Sequence, residues 1–190
     1  KIVLNMLSEL KEKNGYEARE INCAGGFGVH YAGHPQRTTV SYFMDPVMKL
    51  IDRFCSEHGL VRPTVTIEPG RWVVGEAGIT LYEVCSVKTN AAGRTYIGVD
   101  GGFPDNPRPE LYDAKYEVEA VEKHGEPYDQ LVTVAGKCCE SGDILLKDAM
   151  MPEIKVGDTL AVLATGAYNY SMASNYNRIP RAAVVAVSDG

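Results

Sequence analysis

The pattern of apolar residues changes period once along this chain, and the change falls at the stretch TVTIEPGRWVVGEAG, Thr64 to Gly78. Before it, helix and strand signals alternate. Ile2, Val3, Met6, Leu7 and Leu10 share one helical face, and Asn14-Gly15 supplies a C-cap, so a helix is expected over 2–13. YEAREINCAGGFGVHY then reads as a short strand running into glycines. In MDPVMKLIDRFCSEHG, Asp45 is the expected N-cap and Pro46 the first helical residue. Val47, Leu50, Ile51 and Phe54 lie on one face there, and Gly59 closes the helix. PTVTIEPG is the next strand. Strands joined through helices imply a parallel sheet or (β/α) barrel, in which loops at the C-terminal ends of the strands carry the chemistry.

From about residue 76 the helical period disappears. Strands are expected at Ile79–Lys88, Thr95–Val99, Tyr116–Val121, Leu131–Gly136, Thr159–Leu163 and Arg181–Val187, separated by turn-rich pieces such as NAAGR, GGFPDNPRP and KHGEPYD. The expected fold class is therefore α/β over 1–75 followed by an all-β domain over 76–190, read as antiparallel. No internal repeat, low-complexity segment or flexible linker separates the two parts.

Composition narrows the function. A formal charge of −6, with no run of Lys and Arg interleaved with aromatics, argues against nucleic acid as a partner. No apolar run approaches the roughly 20 residues of a bilayer helix and no signal peptide opens the chain, so the expected location is the cytoplasm. Five cysteines without a CxxC pair suit a reducing compartment better than a disulfide framework. The chain starts without Met inside a helical pattern and stops at a hairpin-type Asp-Gly, which leads to the expectation that it is part of a longer polypeptide.

Two motifs are candidates for ligand contact. In INCAGGFGVHY the dinucleotide fingerprint fails because Tyr31 stands where its third glycine belongs, and the Lys-Ser/Thr of a P-loop is absent. What remains is a bare backbone that can approach a phosphate, or simply a glycine-rich turn. His30 and His34 flank Gly33 and precede Pro35, a poor arrangement for a metal-ligand pair, and no metal is expected. His58 and His124 read as surface residues. Glu68-Pro69-Gly70-Arg71 is either a tight turn with an ion pair or a second anion-facing loop.

Five motifs in order, GGFGVHY, IEPGRWVV, RPELYDA, CCESGD and GAYNYSMASNYNRIPR, resemble the C-terminal half of the diaminopimelate decarboxylase family, pyridoxal-phosphate enzymes of the alanine-racemase-like fold. The resemblance spans nearly the whole chain. It implies a (β/α)8 barrel that binds the cofactor, followed by a β-sandwich or β-barrel domain whose 164–180 segment returns to the active site. It also implies a homodimer with shared sites. By resemblance, Gly25, Gly26, Gly28, Gly70 and Arg71 hold the cofactor phosphate, Tyr168 joins them, and Glu68 pairs with the pyridine nitrogen. Arg108, with Arg71, Tyr112 and Tyr168, would take the distal carboxylate of the amino-acid substrate. Glu140 would take its distal ammonium. Cys139 would return a proton after decarboxylation, and Cys139 and Glu140 would serve the other subunit's site. Without the family, Cys139 reads as a small hydrophobe; Cys138 is given no role.

The sequence departs from the family in two respects. The lysine that bonds the cofactor's aldehyde and the histidine that stacks on its ring belong to upstream regions, so this chain alone is expected to be inactive, and an N-terminal portion of the same protein is a candidate partner. Ala24 stands where the family often has glycine, which matters only if φ there is positive. The rival expectations are a sister decarboxylase acting on ornithine, arginine, lysine or carboxynorspermidine, and a catalytically silent dimerisation or binding module.

Overall fold

The computed structural model describes residues 1–30 and 39–188. These form two compact units, one from 1–29 and 39–73, the other from 30 and 74–188.

The first unit holds two helices and a minimal parallel sheet. Helix α1 (Ile2–Asn14) ends at Gly15, whose φ of 64° lets its N–H reach back to Lys11. Its buried positions are Leu4 and Ser8, whereas Ile2, Val3 and Met6 are exposed. The expected apolar stripe is thus not the packed one: Leu4 points into the cluster of Ile51, Phe54 and Cys55 from helix α2 (Val40–Glu57). Helix α2 also begins earlier than expected. Thr39, not Asp45, is its N-cap, accepting from the Tyr42 N–H at 3.2 Å, and Pro46 lies inside the helix. The interior proline removes one backbone bond, a loss the Thr39 cap and the long apolar face Val47, Leu50, Ile51 and Phe54 outweigh. Strands β1 (Glu20–Asn22) and β2 (Thr64–Thr66) pair in parallel, Ile21 opposite Val65.

The second unit is a six-stranded sheet in the order β5-β8-β3-β4-β6-β7. The strands are β3 (Thr80–Thr89), β4 (Thr95–Val99), β5 (Val118–Ala120), β6 (Gln130–Ala135), β7 (Ile144–Met151) and β8 (Thr159–Val162). Four of the five pairings are antiparallel, but β4 and β6 run parallel, Ile97 beside Val134, so the sheet is mixed rather than purely antiparallel. The 30 residues between Val99 and Gln130 leave room for the crossover that a parallel pair requires. Its core is Tyr82, Val84, Ile97, Val99, Val132, Val134, Met151, Leu160 and Val162, contributed by alternate positions along the strands.

One strand was not expected, and one expected strand does not form. β7 carries no clean alternation in sequence, because an extra residue near Asp148 (φ 52°) shifts its register against β6 between Val132 and Val134. Residues 181–187, expected as a strand, are exposed and form no ladder with the described residues: β-prone side chains do not make a strand without a paired neighbour. Among the described residues no helix is long and apolar enough to cross a membrane.

Candidate functional site

Candidate residues fall in both units, and each group is built by its own local contacts. In the first unit, the parallel pair β1–β2 brings the glycine loop and the Glu-Pro-Gly turn to the same strand end. Backbone bonds continue past the strands: Cys23 N–H donates to the Thr66 carbonyl at 2.8 Å, and Glu68 N–H to the Ala24 carbonyl at 2.7 Å. Asn22 stitches the two loops together. Its Oδ1 accepts from the Ala24 N–H at 2.7 Å, and its Nδ2 donates to Glu68 Oε1 at 2.6 Å. Asn22 was not singled out from sequence, and a polar residue at the end of a strand beside glycines is the only signal for it.

Gly25 is required by packing, since a Cβ there would overlap the Glu68 carbonyl oxygen. Gly26 sits at φ 87°, which favours glycine outright. Ala24 adopts φ 57°, the left-handed region, so the alanine carries strain of about 1–2 kcal/mol that glycine would not. Gly28 stands a little apart, with only the Phe43 ring, among the described residues, within reach of an added Cβ. After Glu68, helix α3 (Gly70–Val74) begins at once, with Pro69 accepting from Val73 N–H, so Gly70 and Arg71 form its first turn. Gly25, Gly26, Gly28, Glu68 and Gly70 are all exposed. A loop of bare, solvent-facing backbone beside one anchored carboxylate fits a group carrying a phosphate and a protonated ring nitrogen. His34 lies outside the described residues.

In the second unit, three loops adjoin. Helix α4 (Arg108–Tyr112) places the Arg108 guanidinium 5.0 Å from the centre of the Tyr112 ring. Arg108 Nε is buried with no hydrogen-bond partner among the described residues. The neighbouring Glu110 carboxylate lies against Gly142, where a Cβ would overlap it, which sets α4 beside the loop between β6 and β7. That loop carries Cys139 and Glu140, both exposed. Asp143, buried, holds it from within: its carboxylate accepts from Cys138 N–H at 2.8 Å and Phe103 N–H at 2.7 Å, and leaves no room for a Cβ at Gly102 or Gly136. Burial, reinforced by the Asp143 carboxylate, pushes the Cys138 thiol up to about 11. Cys138 is held as a neutral thiol.

The third loop is 164–180. Gly166 is pressed against backbone, as a Cβ there would overlap the Val74 carbonyl, and its N–H donates to the Gly75 carbonyl at 2.9 Å. Tyr168, at φ 71°, caps helix α5 (Asn169–Met172). Asn169 is buried and donates to Asn106 Oδ1 at 2.8 Å, while the Tyr116 hydroxyl donates to Asn169 Oδ1 at 3.4 Å. Asn106 lies two residues before Arg108, so this amide pair fixes Tyr168's loop to the start of α4. Further along, Asn177 Oδ1 accepts from Cys139 N–H at 2.8 Å and the Tyr176 hydroxyl donates to Glu140 Oε2 at 3.2 Å. The Gly142 N–H and then the Tyr176 hydroxyl hold the Glu140 carboxyl below its usual range, so it is ionised. The structure therefore brings Arg108, Tyr112, Cys139, Glu140 and Tyr168 onto adjoining loops of one unit. Asp143, Asn106, Asn169, Tyr176 and Asn177 organise them and were missed in sequence.

Comparison with known proteins finds two overlapping matches. Residues 1–75 match the pyridoxal binding domain of the pyridoxal-dependent decarboxylases, and residues 41–166 match the C-terminal sheet domain of the same enzymes. The chain belongs to the pyridoxal-dependent decarboxylase family. Within it, the chain is 46% identical over 188 residues to diaminopimelate decarboxylase of Bacillus subtilis (strain 168), covering 99% of this chain and 43% of that protein. The crystal structure of diaminopimelate decarboxylase from M. jannaschii superposes with a TM-score of 0.85 at 32% identity, over 94% of this chain and 40% of that one. The Helicobacter pylori diaminopimelate decarboxylase complexed with L-lysine gives 0.80 at 30%, over 95% and 42%. The chain thus spans less than half the length of the relatives it matches.

Proposed function

We propose that this chain is the C-terminal portion of a diaminopimelate decarboxylase, which removes the carboxylate at the D-centre of meso-2,6-diaminopimelate to give L-lysine and carbon dioxide. The observation that carries the reading is that one unit presents both charges: Arg108 on α4, whose buried Nε has no hydrogen-bond partner among the described residues, and the ionised Glu140 on the β6–β7 loop. A substrate with both a carboxylate and an ammonium at its far end needs one of each. A diamine-forming relative has no use for the arginine.

Each residue then has a task. The N–H groups around Gly25, Gly26, Gly28, Gly70 and Arg71 bind the phosphate of pyridoxal phosphate, with the Tyr168 hydroxyl. Glu68, oriented by Asn22, keeps a proton on the pyridine nitrogen. The cofactor, when bound, supplies the electron sink that accepts the pair left as carbon dioxide departs. Arg108, Arg71 and Tyr112 orient the distal carboxylate, Glu140 binds the distal ammonium, and the Cys139 thiol delivers a proton to the substrate carbon. The lysine bonded to the cofactor's aldehyde lies in the remaining length of the polypeptide.

The fold reading follows. The first unit is the last portion of a (β/α)8 barrel, whose earlier strands and helices cover the exposed Ile2, Val3 and Met6 of α1. The second is the β-sandwich or β-barrel domain of the family. Cys139 and Glu140, exposed within their own unit, complete the site of a second subunit in a homodimer.

The deciding experiment compares the full-length enzyme on meso-diaminopimelate, ornithine, arginine, lysine and carboxynorspermidine. The expected result is turnover of diaminopimelate, with Arg108→Ala raising KM by about a hundredfold. Preference for a substrate lacking the distal carboxylate would overturn the reading. Mixing Cys139→Ala and Arg108→Ala subunits tests the shared site: hybrid dimers regain activity if the loops cross, and none if they do not.

A further inference from the structure

The turn Tyr176–Arg178 has an unusual backbone and two unusual contacts. Asn177 and Arg178 both adopt positive φ, 51° and 62°, in succession. Asparagine tolerates this region, but arginine has no such preference, and consecutive left-handed residues are costly unless something holds them. The turn is closed by Arg178 N–H on the Asn175 carbonyl at 2.8 Å, and the Asn175 side chain caps the Ile179 carbonyl at 3.0 Å. The Tyr176 ring meets the edge of Phe103 at 5.7 Å, and the Phe103 N–H is bound by Asp143. The result is that two adjacent side chains reach the two adjacent residues Cys139 and Glu140: the Asn177 amide oxygen takes the Cys139 N–H, and the Tyr176 hydroxyl takes the Glu140 carboxylate.

A surface turn needs neither contact to fold. Cys138 and Cys139, by contrast, have their consecutive N–H groups bound by two different side chains, the buried Asp143 and the exposed Asn177. The Asp143 contact fixes the loop at Cys138; the Tyr176 and Asn177 contacts fix the next two residues, Cys139 and Glu140.

We propose that Tyr176 and Asn177 are positioning residues for the reaction, setting the proton-donating thiol of Cys139 and the ammonium-binding carboxylate of Glu140 as one unit. Both belong to the segment that carries Tyr168, so the group that reads the cofactor phosphate and the group that aims the proton donor sit on one stretch of chain. Tyr176 acts on substrate affinity through Glu140. Asn177 acts on the proton-delivery step through Cys139. This rests on the roles given to Cys139 and Glu140 above.

The test uses the full-length enzyme. Tyr176→Phe removes the hydroxyl and keeps the ring, and is expected to raise KM for meso-diaminopimelate about tenfold with kcat within about twofold. Asn177→Gly keeps the left-handed turn but removes the amide, and is expected to lower kcat about tenfold with little change in KM. Asn177→Asp, which retains an acceptor, should recover most of it. Independently of turnover, the iodoacetamide alkylation rate of Cys139, followed by peptide mass spectrometry, should change in Asn177→Gly and return in Asn177→Asp. Wild-type kcat, KM and alkylation in both Tyr176→Phe and Asn177→Gly would overturn the proposal. Cys139→Ser and Glu140→Gln are run beside them. If those are impaired and the Tyr176 and Asn177 variants are not, only this inference fails; if they too match wild type, the site reading fails and this falls with it.

Discussion

The two units differ in how they hold their candidate residues. The second hangs Arg108, Cys139, Glu140 and Tyr168 on loops anchored to a core in which Val84, Ile97 and Leu160 are wholly buried. The first holds its glycine loop through two three-residue strands and the Asn22 bridge, while α1 leaves Ile2 87% exposed. One group of candidates is secured by a packed core, the other by a short two-strand ladder and a single side-chain bridge. Damage should therefore spread far in the second unit and stay local in the first.

The strongest test of that contrast is Gly166→Ala. The added methyl overlaps backbone at Val74, which cannot rotate away, so a loss of about 3 kcal/mol or more is expected as a lowered urea midpoint. Next, Asp143→Ala leaves the N–H groups of Phe103 and Cys138 without their acceptor and should cost about 2–3 kcal/mol. The same change should be visible at Cys138. With its thiol raised from 9.0 to about 11, the folded chain keeps a proton that the unfolded chain loses, so this contribution is present below pH 9.0 and is lost as pH climbs to about 11. Removing Asp143 takes away a negative charge, and the onset of Cys138 alkylation should move to lower pH.

The first unit gives smaller and opposite effects. Ala24→Gly relieves the left-handed alanine and should stabilise the chain by up to about 1 kcal/mol, seen as a raised Tm. Met6→Gln on the exposed side of α1 should move stability by no more than about 0.5 kcal/mol in this 190-residue chain. A large loss there would mean that α1 packs more firmly than its exposure indicates, and would erase the contrast.

The same contrast governs what could be read from sequence. Gly25, Glu68 and Gly70 fall in short stretches whose own glycines and proline announce a turn. Strand β4 was legible to the residue because Thr95, Ile97 and Val99 alternate with period two. β7 was not, since the irregularity at Asp148 breaks that period. Helix α2 was placed late because Asp45-Pro46 imitates a start signal that Thr39 supplies. Asp143, Asn169, Tyr176 and Asn177 work on residues 36 to 63 positions away, and no local pattern encodes such a partner. The parallel β4–β6 pair is invisible for the same reason.

The strand order has a consequence for the chain as it is made. β8, the last strand, is not an edge but lies between β5 and β3, pairing Val162 with both Thr80 and Val118. Until Thr159–Val162 leaves the ribosome, β3 has an unpaired side and β5 has no neighbour at all. The nascent domain must therefore wait with apolar strand edges uncovered, the condition under which chains pair with one another instead of themselves. Closing the loop from Thr80 to Val162 is also entropically slow, so assembly of this domain should be late, all at once, and sensitive to chaperone supply.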